Sequence, residues 1–128
     1  MSDDLFDEGM ATRKAVLGEA YVARADANKT DFDADWQRYV TEHAWAAVWT
    51  RPGLEKRTRS MLTIAMLASL GRLDELGAHI RATRNTGVTQ EEVKEVLLQV
   101  AVYAGAPAAN SAFAIAKRVY KEMDTEGK

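Results

Sequence analysis

Residues 60–70, SMLTIAMLASL, run for eleven positions without a charge, a glycine or a proline. That is longer than most strands, and as a helix it is apolar on every side. A helix of that kind needs neighbours all round, so the segment from Glu55 to Gly71 is expected at the centre of a bundle. No stretch of the chain alternates apolar and polar residues as a half-buried strand would.

The neighbours are also helical. From Asp4 to about Ala27 the residues Leu5, Phe6, Met10, Val16, Leu17, Tyr21 and Val22 recur at helical spacing, interrupted by Gly9 and Gly18. This predicts one bent helix. Asn28 breaks it, and Thr30 with Asp33 reads as a variant start signal for a second. Along the second, Phe32, Trp36, Tyr39, Val40, His43, Ala44, Ala47 and Val48 form one stripe, and Trp45 and Trp49 fall on the opposite side. A small domain cannot bury both sides, so a partner subunit is expected there.

TRPGL, with Pro52 and Gly53, then makes a turn before the Glu55–Gly71 helix. A fourth helix is expected from Leu73 to Asn85, closed by Gly87 as a left-handed cap. Thr89 and Glu92 form a capping box for a fifth, which keeps Val93, Val96, Leu97, Val100, Tyr103 and Ala104 on one face. Gly105 and Pro107 precede a last helix carrying Phe113, Ile115, Ala116, Val119, Tyr120 and Met123. The expectation is all-α: one domain over residues 1–128, a bundle of about six helices with short connections.

Composition removes several functions. The 128 residues include no cysteine, which excludes disulfides, thiolate metal sites and thiol chemistry. A net charge of −2 argues against a nucleic-acid partner. No apolar run approaches the ~18 residues of a membrane span, and the acidic start MSDDLFDEGM is unlike a secretory or transit peptide. A cytoplasmic protein is expected. Charge is uneven, however: residues 50–84 hold three acids (Glu55, Asp74, Glu75) against seven bases (Arg51, Lys56, Arg57, Arg59, Arg72, Arg81, Arg84). The middle of the chain suits a small anion.

Glu75 and His79 stand four apart on the predicted fourth helix, on a strip with Arg72 and Ala82 beside the apolar stripe of Leu73, Leu76 and Ile80. Spacing alone leaves two readings open: a proton-transferring histidine oriented by a carboxylate, or a solvated helix pair worth a few tenths of a kcal/mol. His43, inside the second helix's stripe, reads as a core histidine bonded to backbone. The two histidines and a glutamate lack any compact ligand spacing, so no metal site is expected. Arg51, Arg57 and Arg59 flank a helix start and could cradle a carboxylate or be ordinary surface charge. There is neither a phosphate-binding glycine loop nor a nucleophile elbow.

These residues carry a resemblance. WTRPGLEKRTRSMLTIAMLASLGRLDELGAHIRATRNTGVT followed by VLLQVAVYAGAPAANSAF, with GMATRKAVLG upstream, resembles the carboxymuconolactone decarboxylase family over nearly the whole chain. The family's alkylhydroperoxidase D branch is similar in fold but carries a C-x-x-C pair upstream of its helical histidine. Here Arg72 and Glu75 stand at the positions matching those cysteines and His79 at the matching histidine. Thiol peroxidase chemistry is thereby excluded.

The resemblance implies an alkylhydroperoxidase D-like bundle, assembled as a homo-oligomer, a trimer or hexamer. It also implies cofactor-free decarboxylation of 4-carboxymuconolactone to 3-oxoadipate enol-lactone, in the protocatechuate branch of aromatic catabolism. On that basis His79 is the expected proton donor and Glu75 its orienting partner. Arg51, Arg57, Arg59 or Arg72 would bind the dicarboxylate lactone, with Trp45 and Tyr103 lining the pocket. Two alternatives stay open: the same chemistry on another lactone or keto acid, and a non-enzymatic oligomeric module that binds a small acid.

Overall fold

The computed structural model describes residues 2–126, with side chains from Asp4 onward. Among the described residues every regular element is a helix. The chain forms two compact units, Met1–Lys56 and Arg57–Lys128.

In the first unit, α1 (Ser2–Leu17) and α2 (Glu19–Asn28) stand where one bent helix is expected. Gly18, at φ 94°, makes the break, a conformation that only glycine adopts cheaply. The buried face of α1 is Gly9, Thr12, Arg13 and Val16, at intervals of three and four. Leu5 is exposed and Phe6 and Met10 are half-buried. Small and polar residues occupy the inner face because the packing is tight: a Cβ on Gly9 would lie 2.1 Å from the Thr41 carbonyl oxygen.

The partner of α1 is a π-helical segment over Thr41–Ala46, which continues α3 (Ala34–Val40). Thr30 and Asp33 do bond each other, the Thr30 N–H donating to Asp33 Oδ1 at 2.8 Å. They close a turn ahead of α3 and leave Asp33 as its N-cap residue. The expected stripe of this helix is reversed. Phe32 is 98% exposed, and Trp36, Tyr39, His43 and Val48 are also outside, while Thr41, Trp45, Ala46 and Trp49 are buried.

The reason is the change of helix type. Residues 37, 41, 45 and 49 are spaced by four, which on an α-helix drifts about 40° per step. The wider π turn takes up much of that drift and keeps Thr41 and Trp45 inside. His43 is correspondingly not a core histidine: it is exposed, its ring 4.5 Å from that of Tyr39.

The second unit comprises α4 (Lys56–Leu70), α5 (Leu73–Arg81), the single turn α6 (Thr83–Thr86), α7 (Gln90–Tyr103) and α8 (Ala106–Glu126). One core joins them: Ile64 and Ala68 of α4, Leu76 and Ile80 of α5, Val93, Leu97 and Val100 of α7, Ala112, Ala116 and Val119 of α8. At Gly77 α5 packs on α8 with room for one more carbon, an added Cβ meeting the Ile115 and Val119 methyls at an ordinary 3.6 Å. Arg81 then reaches Glu122 and Glu126 on the same helix.

The expected fourth helix is interrupted after Arg81. The Thr83 hydroxyl donates to the Ile80 carbonyl at 2.5 Å, a side-chain bond that competes with the helical ladder. Gly87 is left-handed (φ 85°) and its N–H closes on the Thr83 carbonyl at 2.8 Å, as expected of a cap. The Thr89–Glu92 capping box is complete, with reciprocal bonds of 3.1 and 2.9 Å.

The eleven-residue apolar run does not lie at a centre buried on all sides. Ser60, Ile64 and Ala68 are fully buried, but Leu62, Met66 and Leu70 of the same helix are exposed. The unit covers only one face of α4, and the other faces outward as an apolar stripe.

Candidate active site

The strip expected to carry chemistry runs along α5 to the first residue of α6 and is graded in exposure. Arg72 is the exposed N-cap residue, Glu75 in the first turn is exposed, His79 is half-buried, and Thr83, four residues further, is buried. The sequence therefore places one charged end in water and one hydroxyl end in the core.

His79 sits at the transition. Burial lowers its pKa from the usual 6.5 to about 4, and the nearby Glu75 carboxylate only partly opposes this. The imidazole is thus neutral near pH 7.

Tyr120, absent from the expected site, meets the buried end of the strip. Burial raises its hydroxyl pKa, with the Thr83 hydroxyl pulling the other way, so the phenol stays protonated. Its helical spacing on α8 marks it only as a core residue; nothing local signals that its oxygen approaches Thr83 at the start of α6.

The arginines divide. Arg57 forms an ion pair with Glu92, the capping-box acid of α7. Arg59 is half-buried one helical turn below Thr63, whose hydroxyl donates to the Arg59 carbonyl at 2.8 Å. Arg51 is exposed in the turn after the π-helical segment, its N–H bonded to the Val48 carbonyl. Part of the positive excess of residues 50–84 is matched by acids of α7 and α8: Arg57 by Glu92, Arg81 by Glu122 and Glu126, Arg84 by Glu126.

The aromatic residues also separate. Trp45 is buried and stacks on Trp49 with ring centres 5.0 Å apart. Tyr103 ends α7 and is 83% exposed. It lies eleven residues, roughly 16 Å along the helix, beyond the Glu92 that holds Arg57. Within the second unit, Glu75 and His79 come together; Arg57 and Tyr103 stand at opposite ends of α7.

A neutral imidazole next to a carboxylate, on a basic stretch and in an all-helical scaffold without cysteine, fits proton transfer to an anionic substrate. The profile of the carboxymuconolactone decarboxylase family matches residues 34–118. The chain belongs to that family. It is 47% identical to the 4-carboxymuconolactone decarboxylase of Acinetobacter baylyi over 118 residues, 92% of this chain and 88% of the relative. It is 42% identical to the nitrosuccinic acid decarboxylase of Metarhizium robertsii over 123 residues, 96% of this chain and 86% of that one. Among the described residues no helix is long and apolar enough to cross a membrane.

Proposed function

We propose that this chain is a cofactor-free decarboxylase of 4-carboxymuconolactone, releasing carbon dioxide and 3-oxoadipate enol-lactone in the cytoplasmic breakdown of protocatechuate. The observation that carries the reading is the 47% identity to the Acinetobacter decarboxylase along nearly the full length of both chains. The match of the family profile to residues 34–118 crosses both compact units, which supports one functional domain over 1–128.

The chemistry suits the residues present. When the ring carboxylate leaves as carbon dioxide, the bonding pair stays on the ring and delocalises through the double bond into the lactone carbonyl. The substrate is its own electron sink, and the protein must bind the anion and return one proton to carbon. His79 is the proton donor. The dianionic substrate supplies the negative charge that makes imidazolium favourable in a site where burial otherwise forbids it, and the proton taken up on binding is the one delivered. Glu75 holds the ring's orientation, and Arg51, Arg59 or Arg72 meets the retained carboxylate. Arg57 is less available because Glu92 holds it.

Adding purified protein to enzymatically generated lactone should abolish the lactone's ultraviolet absorbance and release one carbon dioxide per molecule. An unchanged spectrum at micromolar protein would refute the assignment. The Metarhizium relative favours a second reading, nitrosuccinic acid, since a nitro group beside the departing carboxylate is also an electron sink. Comparing kcat/KM on the two acids separates them.

We further propose a homo-oligomer, a trimer or hexamer. The apolar stripe of Leu62, Met66 and Leu70 and the aromatic face of Phe32, Trp36 and Tyr39 support it, because water rarely meets such contiguous surface. Met66→Lys should shift the mass measured by light scattering towards the monomer. An unchanged mass would remove α4 from the interface.

A further inference from the structure

The first unit contains a cavity of about 250 Å³ lined entirely by its own residues. Its unusual component is Arg13. This residue lies on the inner face of α1 and is only 6% exposed, yet among the described residues no carboxylate forms an ion pair with it and its buried Nε has no hydrogen-bond partner. A guanidinium cannot shed its proton to escape this situation. Burying an unpaired charge is strongly unfavourable, so its presence on a packing face calls for a counter-charge from outside the unit.

We propose that this cavity is an anion site that binds one small organic monocarboxylate through Arg13. The geometry sets the class. Phe6, Met10 and Ala34 give the cavity an apolar wall for a short hydrocarbon body. Lys29 adds a second cation, whereas Arg38 is already shared, 3.4 Å from Glu42 and stacked over the Phe6 ring at 5.1 Å. Asp26 and Asp35 also line the space and disfavour a second negative charge on the ligand. The volume is just below the usual range of small-molecule pockets, enough for a few carbons and too small for a nucleotide cofactor. The recognition is a planar fork meeting a planar carboxylate, the pairing for which arginine is best shaped.

The test uses the full chain and butyrate as the probe, and reads binding, independently of any decarboxylation. Titration followed by NMR should move the Arg13 Nε–H resonance, assigned by its loss in Arg13→Lys, to saturation with a dissociation constant on the order of 1 mM. Lys29→Gln, an exposed change that spares the packing, should weaken binding by about threefold to tenfold. Butylammonium, the same body with the opposite charge, should leave the resonance in place. An Arg13 resonance unmoved by butyrate overturns the proposal. So does one that moves on dilution of the ligand-free protein, because the counter-charge would then be a side chain of a second copy.

Discussion

Gly9 and Thr41 are in contact through backbone: the hydrogen that glycine presents in place of a side chain faces the Thr41 carbonyl oxygen, 2.1 Å from where a Cβ would sit. Neither atom belongs to a flexible side chain, so the conflict cannot be relieved by a rotamer change. Gly9→Ala should cost at least the 1–3 kcal/mol typical of overpacking, lowering the melting temperature by roughly 5–10 °C. Gly53→Ala, with nothing within 4 Å of its added carbon, is the control and should leave the temperature nearly unchanged. Thermal unfolding followed by circular dichroism compares the two.

Acid should destabilise the second unit through His79. Its folded pKa, about 4, lies below the ordinary 6.5, so between those values the unfolded chain binds the proton more strongly. Stability therefore falls as pH drops from 6.5 towards 4 and levels off below, by at most roughly 3 kcal/mol. Urea unfolding at pH 7 and pH 4 measures the loss, and His79→Gln should shrink it. An equal loss in both proteins would assign acid sensitivity to other groups.

The same burial predicts proton uptake when an anion binds. Calorimetric titration of a dicarboxylate product analogue at pH 6.5, in two buffers of different ionisation enthalpy, should show uptake approaching one proton per site. His79→Gln should abolish it and lower kcat by about 10²–10⁴-fold with little change in melting temperature at pH 7. Uptake that persists in the variant would place the proton elsewhere.

Glu92 serves two partners, the Thr89 N–H and the Arg57 guanidinium. Thr89→Ala should cost about 1 kcal/mol through the lost cap. Arg57→Gln should cost less than about 1 kcal/mol, since its pair is partly exposed. If Arg57→Gln instead raised KM by more than about tenfold at unchanged stability, Arg57 would hold the substrate carboxylate.

The second unit was the more legible half. Gly87 takes the left-handed conformation its position implies, and the Thr89–Glu92 pair starts α7 where the spacing places it. Those signals are local, carried by backbone sterics and one side-chain bond. What escaped was set by neighbours. The inner face of α1 is glycine, threonine and arginine because Thr41 comes close, and no wheel of apolar residues marks such a face. Spacing alone pairs Glu75 with His79, but the burial that governs His79 depends on what packs around α5. Tyr120 was hidden for the same reason.

The π-helical segment over Thr41–Ala46 bears on how this chain is aligned with its relatives. It fits more residues into each turn than an α-helix, so a relative with one residue fewer there would be regular helix, not a shortened loop. That single deletion would let the helix tighten to α geometry and leave Trp45 and Trp49 facing nearly the same way, because the extra residue is taken up within the wider turn. A one-position gap at this point therefore keeps inward positions paired with inward ones on both sides, whereas an alignment forced through without the gap would pair inward positions with outward ones.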